Sequence, residues 1–119
     1  LQDAAGPSDD IEVPVAEIAR GTGVLIVRSG GLAGARFSLE SPSTRIGRHP
    51  DSEIMLDDIT VSRRHAEIIR RETGHEILDS GSLNGTYVNQ TRIEATVLQH
   101  GDEVQIGKFH LVYFERNDG

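Results

Sequence analysis

Short apolar runs separated by turn residues fill the chain from Gly23 onward. Residues 24–27 form the first run, and residues 35–39 alternate between apolar and polar side chains, the period-two pattern of a half-buried strand. Further apolar runs lie at 54–56, 66–69, 77–78, 97–98 and 109–114, Val104 and Ile106 alternate with polar neighbours, and a strand is also predicted at 44–46. No segment keeps a helical period over the ~10 residues that a helix needs. The pattern predicts an all-β fold, a sandwich or barrel of many short strands.

The domain organisation follows from a change in amino-acid composition and hydrophobic pattern near residue 20. Residues 1–20 mix proline, glycine and acidic side chains, which predicts an acidic flexible tail. Within the tail only Ile11, Val13, Val15 and Ile18 are suited to packing, so a short strand or docking segment at 11–18 is an open alternative. Residues 21–119 are predicted to form one folded domain, in which residues 72–74 make a hairpin turn.

Charge and composition exclude several classes of function. The net charge is −7, and the first 18 residues carry five acidic and no basic side chains. A nucleic-acid reader would show a basic face, so nucleic acid is not an expected partner. No apolar run approaches the ~20 residues of a membrane span, and no signal peptide is visible. The absence of cysteine fits the cytoplasm. We expect no cofactor and no more than a monomer.

Three polar segments carry residues that mere connecting loops do not require. They are Gly47-Arg48, residues 60–65 and residues 79–89, the last interpreted as one long loop. Together they supply an arginine fork, several hydroxyls, further cations and an amide side chain. This set suits a phosphate attached to a peptide, because arginine and hydroxyls donate to phosphate oxygens and an amide binds peptide backbone. Loops at one end of a rigid sandwich would present such a site.

The order and spacing of Gly47-Arg48, Ser62-x-x-His65 and Asn84-Gly85-Thr86-x-x-Asn89 resemble the signature of forkhead-associated (FHA) domains. The resemblance extends over residues 23–115. It implies a sandwich of about eleven strands, with the site in loops at one end, that prefers phosphothreonine to phosphoserine. FHA domains read phosphorylated motifs through arginine-containing sites.

The resemblance also implies a role for each matching residue. Arg48 would hold the phosphate, Ser62 would bond another of its oxygens, and Asn84 would hold the ligand backbone. The complete ligand-contacting set is predicted as Arg48, Thr60, Ser62, Arg63, Arg64, Ser82, Leu83 and Asn84. The residues predicted to support the loops are Gly47, His65, Gly85, Thr86 and Asn89. Leu83 departs from the family, since some members place a hydroxyl residue there.

A narrower resemblance covers residues 47–52, 61–67, 81–89 and 101–109. These segments are similar to small actinobacterial proteins, the glycogen-accumulation regulators. Those proteins inhibit 2-oxoglutarate dehydrogenase, act on other glutamate-node enzymes, and are phosphorylated by a serine/threonine kinase on a Glu-Thr-Thr run in the tail. That run is absent here. The resemblance implies metabolic enzymes and serine/threonine kinases as partners.

Other functions fit the sequence less well. Ser62, His65 and Asp79 lack a nucleophile-elbow pattern, so we expect no enzyme. The histidine and aspartate residues show no metal-ligand spacing, so we expect no metal. Asn84-Gly85 taken alone could be a hairpin turn. The main alternative to a phosphothreonine reader is a constitutive protein-interaction domain that needs no phosphate.

Overall fold

The computed structural model describes residues 21–116, which form eleven strands and no helix, so none of them forms a helix able to cross a membrane. The predicted tail, residues 1–20, lies outside the described residues. The strands are β1 (Gly23–Ser29), β2 (Arg36–Ser38), β3 (Ser43–Gly47), β4 (Ile54–Met55), β5 (Ala66–Arg71), β6 (Gly74–Asp79), β7 (Thr86–Val88), β8 (Thr91–Ile93), β9 (Ala95–Val97), β10 (Glu103–Ile106) and β11 (Phe109–Glu115).

The strands form two sheets, which confirms the predicted sandwich. The six-stranded sheet has the order β2-β1-β11-β10-β7-β8, and the five-stranded sheet has the order β4-β3-β5-β6-β9. The β3–β4 pair is parallel and the other pairs are antiparallel. Arg71 pairs with Gly74, so the predicted hairpin turn at 72–74 is also confirmed.

The core lies between the two sheets and is built mostly from aliphatic side chains. Leu25 and Val27 of β1 and Leu111 of β11 meet Ile68 and Ile77 of the other sheet in one buried cluster. Burying a side chain of this size contributes about 1.5–3 kcal/mol. This rigid interior fixes the ends of the strands, and therefore the loops that follow them.

Two neighbouring strands of the six-stranded sheet, β1 and β11, are also largely apolar on the side that faces away from the core. Val24, Ile26, Val112 and Phe114 occupy the alternate positions of β1 and β11, and we call this surface the outer face. Val24, Ile26 and Val112 retain only 7%, 2% and 4% of their accessible surface. Both strands therefore read as continuous apolar runs, the pattern of strands that are buried on both faces.

The sandwich has two different ends. At one end, which we call the terminal end, residues 21 and 116 lie side by side, and the amide of Gly21 donates to the carbonyl of Arg116. The opposite end, which we call the loop end, contains the β3–β4, β4–β5, β6–β7 and β10–β11 connections. The terminal end contains His75, which is buried and contacts the Leu39 carbonyl through Nε2 and the Tyr113 hydroxyl through Nδ1 (3.0 and 2.7 Å).

The prediction of one loop over residues 79–89 was wrong, because β7 occupies its last part. The hairpin turn in this region lies at Asn89 and Gln90, both with positive φ, and not at Asn84-Gly85. Asn89 was predicted to support the site, but its side chain bonds to Asp102 and to the backbone of Glu103. It stands beyond the opposite end of β7 from Gly85, so it supports a different turn.

Candidate functional site

The β3–β4 and β4–β5 loops run side by side at the loop end. The amide of Arg48 donates to the Ser62 carbonyl, and the amide of His49 donates to the Arg63 carbonyl (3.0 and 3.3 Å). Gly47 makes this approach possible, since a Cβ there would lie 2.1 Å from the Arg63 carbonyl oxygen. The predicted motif glycine is therefore needed for close contact between the two loops.

The Arg48 side chain is held by one of its three nitrogens. Its Nε donates to the Val61 carbonyl at 3.0 Å. Within residues 21–116 the two terminal nitrogens have no partner, and the side chain is half-buried. The guanidinium is thus oriented beside Ser62 with four N–H donors still available. A planar fork of this kind matches two oxygens of a phosphate.

Ser62 joins the β4–β5 loop to the β6–β7 loop. Its hydroxyl oxygen accepts from the amide of Leu83 at 3.0 Å, which leaves the hydroxyl hydrogen to donate elsewhere. The amide of Ser62 donates to Nδ1 of His65 at 3.1 Å. The Ser62 hydroxyl is therefore fixed in place and keeps one donor beside Arg48.

His65 supports both loops from inside the protein. The side chain is fully buried, and its Nε2 lies 2.8 Å from the Gly85 carbonyl. Because Nδ1 accepts from Ser62, Nε2 carries the hydrogen and the ring is neutral. Burial lowers the pKa of His65, although the Gly85 carbonyl and Asp79 act in the opposite direction. The neutral ring is what the two loops require.

The β6–β7 loop is organised around Asp79 at the end of β6. Its carboxylate accepts from the amides of Gly81 and Ser82 and from the hydroxyls of Ser82 and Thr86 (2.9, 3.0, 2.5 and 2.7 Å). Burial alone would raise the pKa of Asp79, but these hydrogen bonds outweigh it and lower the pKa. The Ser82 hydroxyl also accepts from the amide of Gly85 at 2.9 Å. Ser82 was predicted as a ligand contact, but its buried hydroxyl is engaged within the loop.

Thr60 connects the β4–β5 loop to the β10–β11 turn. Its hydroxyl donates to Asp58 at 2.6 Å and accepts from the amide of Lys108 at 3.0 Å. Hydrogen bonds from Thr60, assisted by Lys108, lower the pKa of Asp58 to about 2. Thr60 was also predicted as a ligand contact, yet its hydroxyl already donates one hydrogen bond and accepts another inside the protein.

Asn84 lies exposed at the mouth of the site. Its Nδ2 donates to the Thr60 carbonyl at 2.9 Å, so one N–H and the side-chain oxygen remain for another chain. Two large apolar side chains flank this link, Ile59 and Leu83, which are 92% and 86% exposed. The mouth of the site therefore combines an amide with unusually exposed apolar surface.

The two arginines after Ser62 differ in their surroundings. Arg63 is exposed, and no hydrogen bond or ion pair of its side chain occurs within the described part of the chain. Arg64 instead forms a two-pronged bond with Asp51 (2.6 and 2.9 Å) and holds the pKa of that carboxyl well below its usual range. Arg64 was predicted to contact the ligand, but its guanidinium faces a protein carboxylate.

Of the predicted site residues, the structure gathers all but Asn89 at the loop end. The prediction did not include Asp58, Asp79 and Lys108, which hold the loops together. The Asp79-x-x-Ser82 spacing, typical of a side chain that caps a turn, was the available signal for one of them. Among residues 21–116, no group of three or more histidine, aspartate or glutamate side chains is placed to bind a metal ion.

Comparison with known proteins agrees with this geometry. The family model of the FHA domain matches residues 44–107, which include Gly47-Arg48, Ser62, His65 and Asn84. The chain belongs to the FHA domain family. An oxoglutarate dehydrogenase inhibitor of Corynebacterium diphtheriae is 59% identical to this FHA chain over 95 residues, covering 80% of the chain and 66% of that protein.

Two further matches involve mycobacterial proteins. The glycogen accumulation regulator GarA of Mycolicibacterium smegmatis is 58% identical over 94 residues, covering 78% of this FHA chain and 59% of that protein. The chain thus spans less than two thirds of the length of these relatives. A solved structure of EmbR from Mycobacterium tuberculosis, in complex with a low-affinity phosphopeptide, aligns with a TM-score of 0.74 at 32% identity. The alignment covers 82% of this chain and 25% of the EmbR chain.

Proposed function

We propose that this chain binds phosphothreonine in partner proteins through its loop end and acts as a regulatory binding module. The observation that carries the proposal is the Arg48 guanidinium, which the Val61 carbonyl orients while its terminal nitrogens stay available. A phosphorylated side chain brings a charge of about −1.5 to −2 and three acceptor oxygens. Arg48 offers that group the bidentate contact on which tight phosphate binding rests.

The neighbouring side chains complete the proposed contacts. Ser62 donates its remaining hydroxyl hydrogen to a second phosphate oxygen, and Arg63 adds an exposed positive charge. Asn84 binds the peptide backbone with its remaining N–H and its oxygen. Leu83 and Ile59 contact apolar parts of the partner. Thr60, Ser82 and His65 act indirectly, because their hydrogen bonds position these loops.

The regulated partner is proposed from the relatives. The name of the corynebacterial relative supports 2-oxoglutarate dehydrogenase as the target. Another glutamate-node enzyme as the target, and a serine/threonine kinase as the source of the phosphate, are proposed from the resemblance of the sequence alone. In this proposal the chain works as a monomer in the cytoplasm. It has no catalytic role, since His65 and Asp79, which a hydrolase would use with Ser62, are engaged in holding the loops.

A second candidate function is constitutive binding that needs no phosphate. Ile59 and Leu83 favour it, because large apolar side chains this exposed at one end of a domain are typical of protein-binding surfaces. The two functions are compatible in one molecule. They differ in whether a partner still binds after its phosphate is removed.

Calorimetric titration with three matched peptides tests the main proposal. The peptides carry phosphothreonine, phosphoserine or unmodified threonine at one position. We expect measurable binding only with phosphate, and binding of phosphothreonine at least about fourfold tighter than phosphoserine, because burial of the γ-methyl is worth ~0.8 kcal/mol. Equal affinities for the two phosphopeptides would contradict the expectation that the site buries the γ-methyl of phosphothreonine. Binding of the unmodified peptide with equal affinity would favour the second candidate.

A further inference from the structure

The outer face is buried although no strand among residues 21–116 covers it. The five-stranded sheet packs on the opposite side of β1 and β11, against the core. Val24 and Ile26 form a separate cluster on the outer face, with Phe114 packed against them. An antiparallel sheet with a solvated outer side has polar residues at these positions. Apolar side chains buried to this extent need a cover.

We propose that residues 11–18 of this chain pack across the outer face. Their apolar residues alternate, with Ile11, Val13 and Val15 on one side of an extended segment and acidic or proline residues between them. Ile18 lies outside this alternation, which extends over residues 11–15 with a period of two. This is the period that an extended segment needs to place a continuous apolar edge on a sheet.

The position and length of the segment fit the face. Gly21 has a φ of 73°, a left-handed conformation that bends the chain immediately before β1. A chain that turns back there runs antiparallel to β1 and directly over it. Eight extended residues span about 26 Å, and the seven residues of β1 span about 23 Å. Residues 11–18 therefore reach along the whole face without a long connection.

Charge supports the same placement. Arg36 of β2 stands on this side of the sheet next to the apolar positions, and so does Arg28 of β1, which is paired with Glu103 at 2.7 Å. The first 18 residues carry five acidic side chains, among them Asp10 and Glu12 beside the proposed contact. Apolar contact over the centre, with acidic residues of the tail beside the arginines at the edge, suits this segment. A second copy of the same face, which carries charges of both signs, is distinguished by the mixed-sample experiment below.

A spin label tests the proposal directly, because the chain has no cysteine and a single introduced one is labelled uniquely. With the label on Ala16→Cys, we expect the methyl NMR signals of Ile26 and Val112 to lose most of their intensity. The Ile69 methyl, on the side of the five-stranded sheet that faces away from the core, should keep much more of its intensity. The control is the same label on Ser80→Cys at the loop end. Equal losses from both labels would overturn the proposal.

Mixed samples and substitutions separate the remaining outcomes. Spin-labelled chain without isotopes is mixed with isotope-labelled chain, and loss of the Ile26 signal there would assign the cover to a second copy and overturn the proposal. In the full chain, the double substitution Val13→Asp and Val15→Asp should lower Tm and shift the Ile26 methyl. The matched control is Ala4→Asp with Ala5→Asp, which adds the same charge outside the segment. Identical effects of the two pairs would contradict the proposal.

Discussion

The two ends of the sandwich each contain a buried histidine, and the two rings hold different parts of the protein together. The His65 ring forms its hydrogen bonds with backbone atoms of the loops, namely the Ser62 amide and the Gly85 carbonyl. His75 contacts the Leu39 carbonyl and the hydroxyl of Tyr113, a core side chain whose pKa is raised by burial. The comparison indicates that support of the binding loops and support of the core are separate networks. Substitutions at the two ends should therefore separate binding from stability.

The largest effect is expected from Arg48→Ala. A hydrogen bond to a charged group contributes about 1.5–3 kcal/mol, so affinity for a phosphothreonine peptide should fall roughly 10- to 150-fold. Tm should stay near that of the wild type, because the Arg48 side chain makes only one hydrogen bond within residues 21–116. Calorimetry and thermal unfolding give the two values.

Two controls accompany this measurement. Arg71→Ala removes an exposed arginine at the terminal end, paired with Glu76, and should leave affinity unchanged. Arg48→Lys should bind almost as poorly as Arg48→Ala, because an ammonium lacks the planar fork. Wild-type affinity of Arg48→Ala would place the phosphate site elsewhere.

The next effect concerns the two histidines. His65→Ala leaves the Ser62 amide and the Gly85 carbonyl without partners, at a cost of about 1–3 kcal/mol each. Tm should fall by roughly 4–8 °C per kcal/mol, and affinity should fall with it. His75→Ala should lower Tm but preserve affinity in samples kept well below the transition. If His75→Ala weakens binding as much as His65→Ala, the two networks are not separate.

A smaller effect is expected within the β6–β7 loop. Ser82→Ala removes bonds to Asp79 and Gly85, and a net loss of roughly 0.5–1.5 kcal/mol corresponds to a two- to twelvefold change in affinity if it acts through loop order. Ser80→Ala, at an exposed position of the same loop, is the matched control. Direct phosphate contact by Ser82 would instead produce a loss as large as that of Arg48→Ala.

Acid should weaken the fold gradually. Burial lowers the pKa of both His65 and His75 from the ordinary 6.5, so the unfolded chain binds protons more readily than the folded chain. Above about pH 6.5 both histidines are neutral in the folded and the unfolded chain, and the folded state has its full stability. As the pH falls from 6.5 through the lower pKa values of the two histidines in the folded protein, that stability is lost. Unfolding in denaturant at several pH values measures this slope. His65→Ala should flatten it, and an unchanged slope would exclude His65 as a source.

The smallest effect is expected from Arg64→Ala. Its guanidinium is bound to Asp51 on the protein surface, and exposed pairs contribute little to stability. Affinity should change less than it does with Arg63→Ala, which removes an exposed cation without an internal partner. Titration of both variants with the same phosphopeptide decides this order. A larger loss for Arg64→Ala would mean that its pair with Asp51 opens when ligand binds.

Apolar runs and apolar–polar alternation made most strands predictable, including the short strands β2 and β4, whereas β7 and β8 were not predicted. β7 and β8 have three residues each, and Thr86–Val88 lies inside a segment dominated by glycine, serine and asparagine. Their pairing with β10 and with each other decides their structure, and pairing between distant segments leaves no local signal. The prediction therefore extended the loop too far.

The candidate site was predicted in its residue types and only partly in their roles. Arg48, Ser62 and Asn84 matched a motif, and the loop end brings them together. Thr60 and Ser82 looked like ligand contacts because a hydroxyl suits phosphate equally well wherever it occurs. Their use inside the protein depends on Asp58 and Asp79, so it appears only when the loops are assembled.

In Arg63 and Leu83 the backbone and the side chain have different roles. The Arg63 carbonyl and the Leu83 amide take part in the hydrogen bonds that join the loops, while both side chains are exposed. These two side chains, and the exposed side chain of Ile59, can therefore be substituted without unfolding the loops. Such positions allow a lineage of these domains to acquire new targets while keeping the phosphate contact. A library randomised at residues 59, 63 and 83 would retain the fold and yield domains with altered choice of partner.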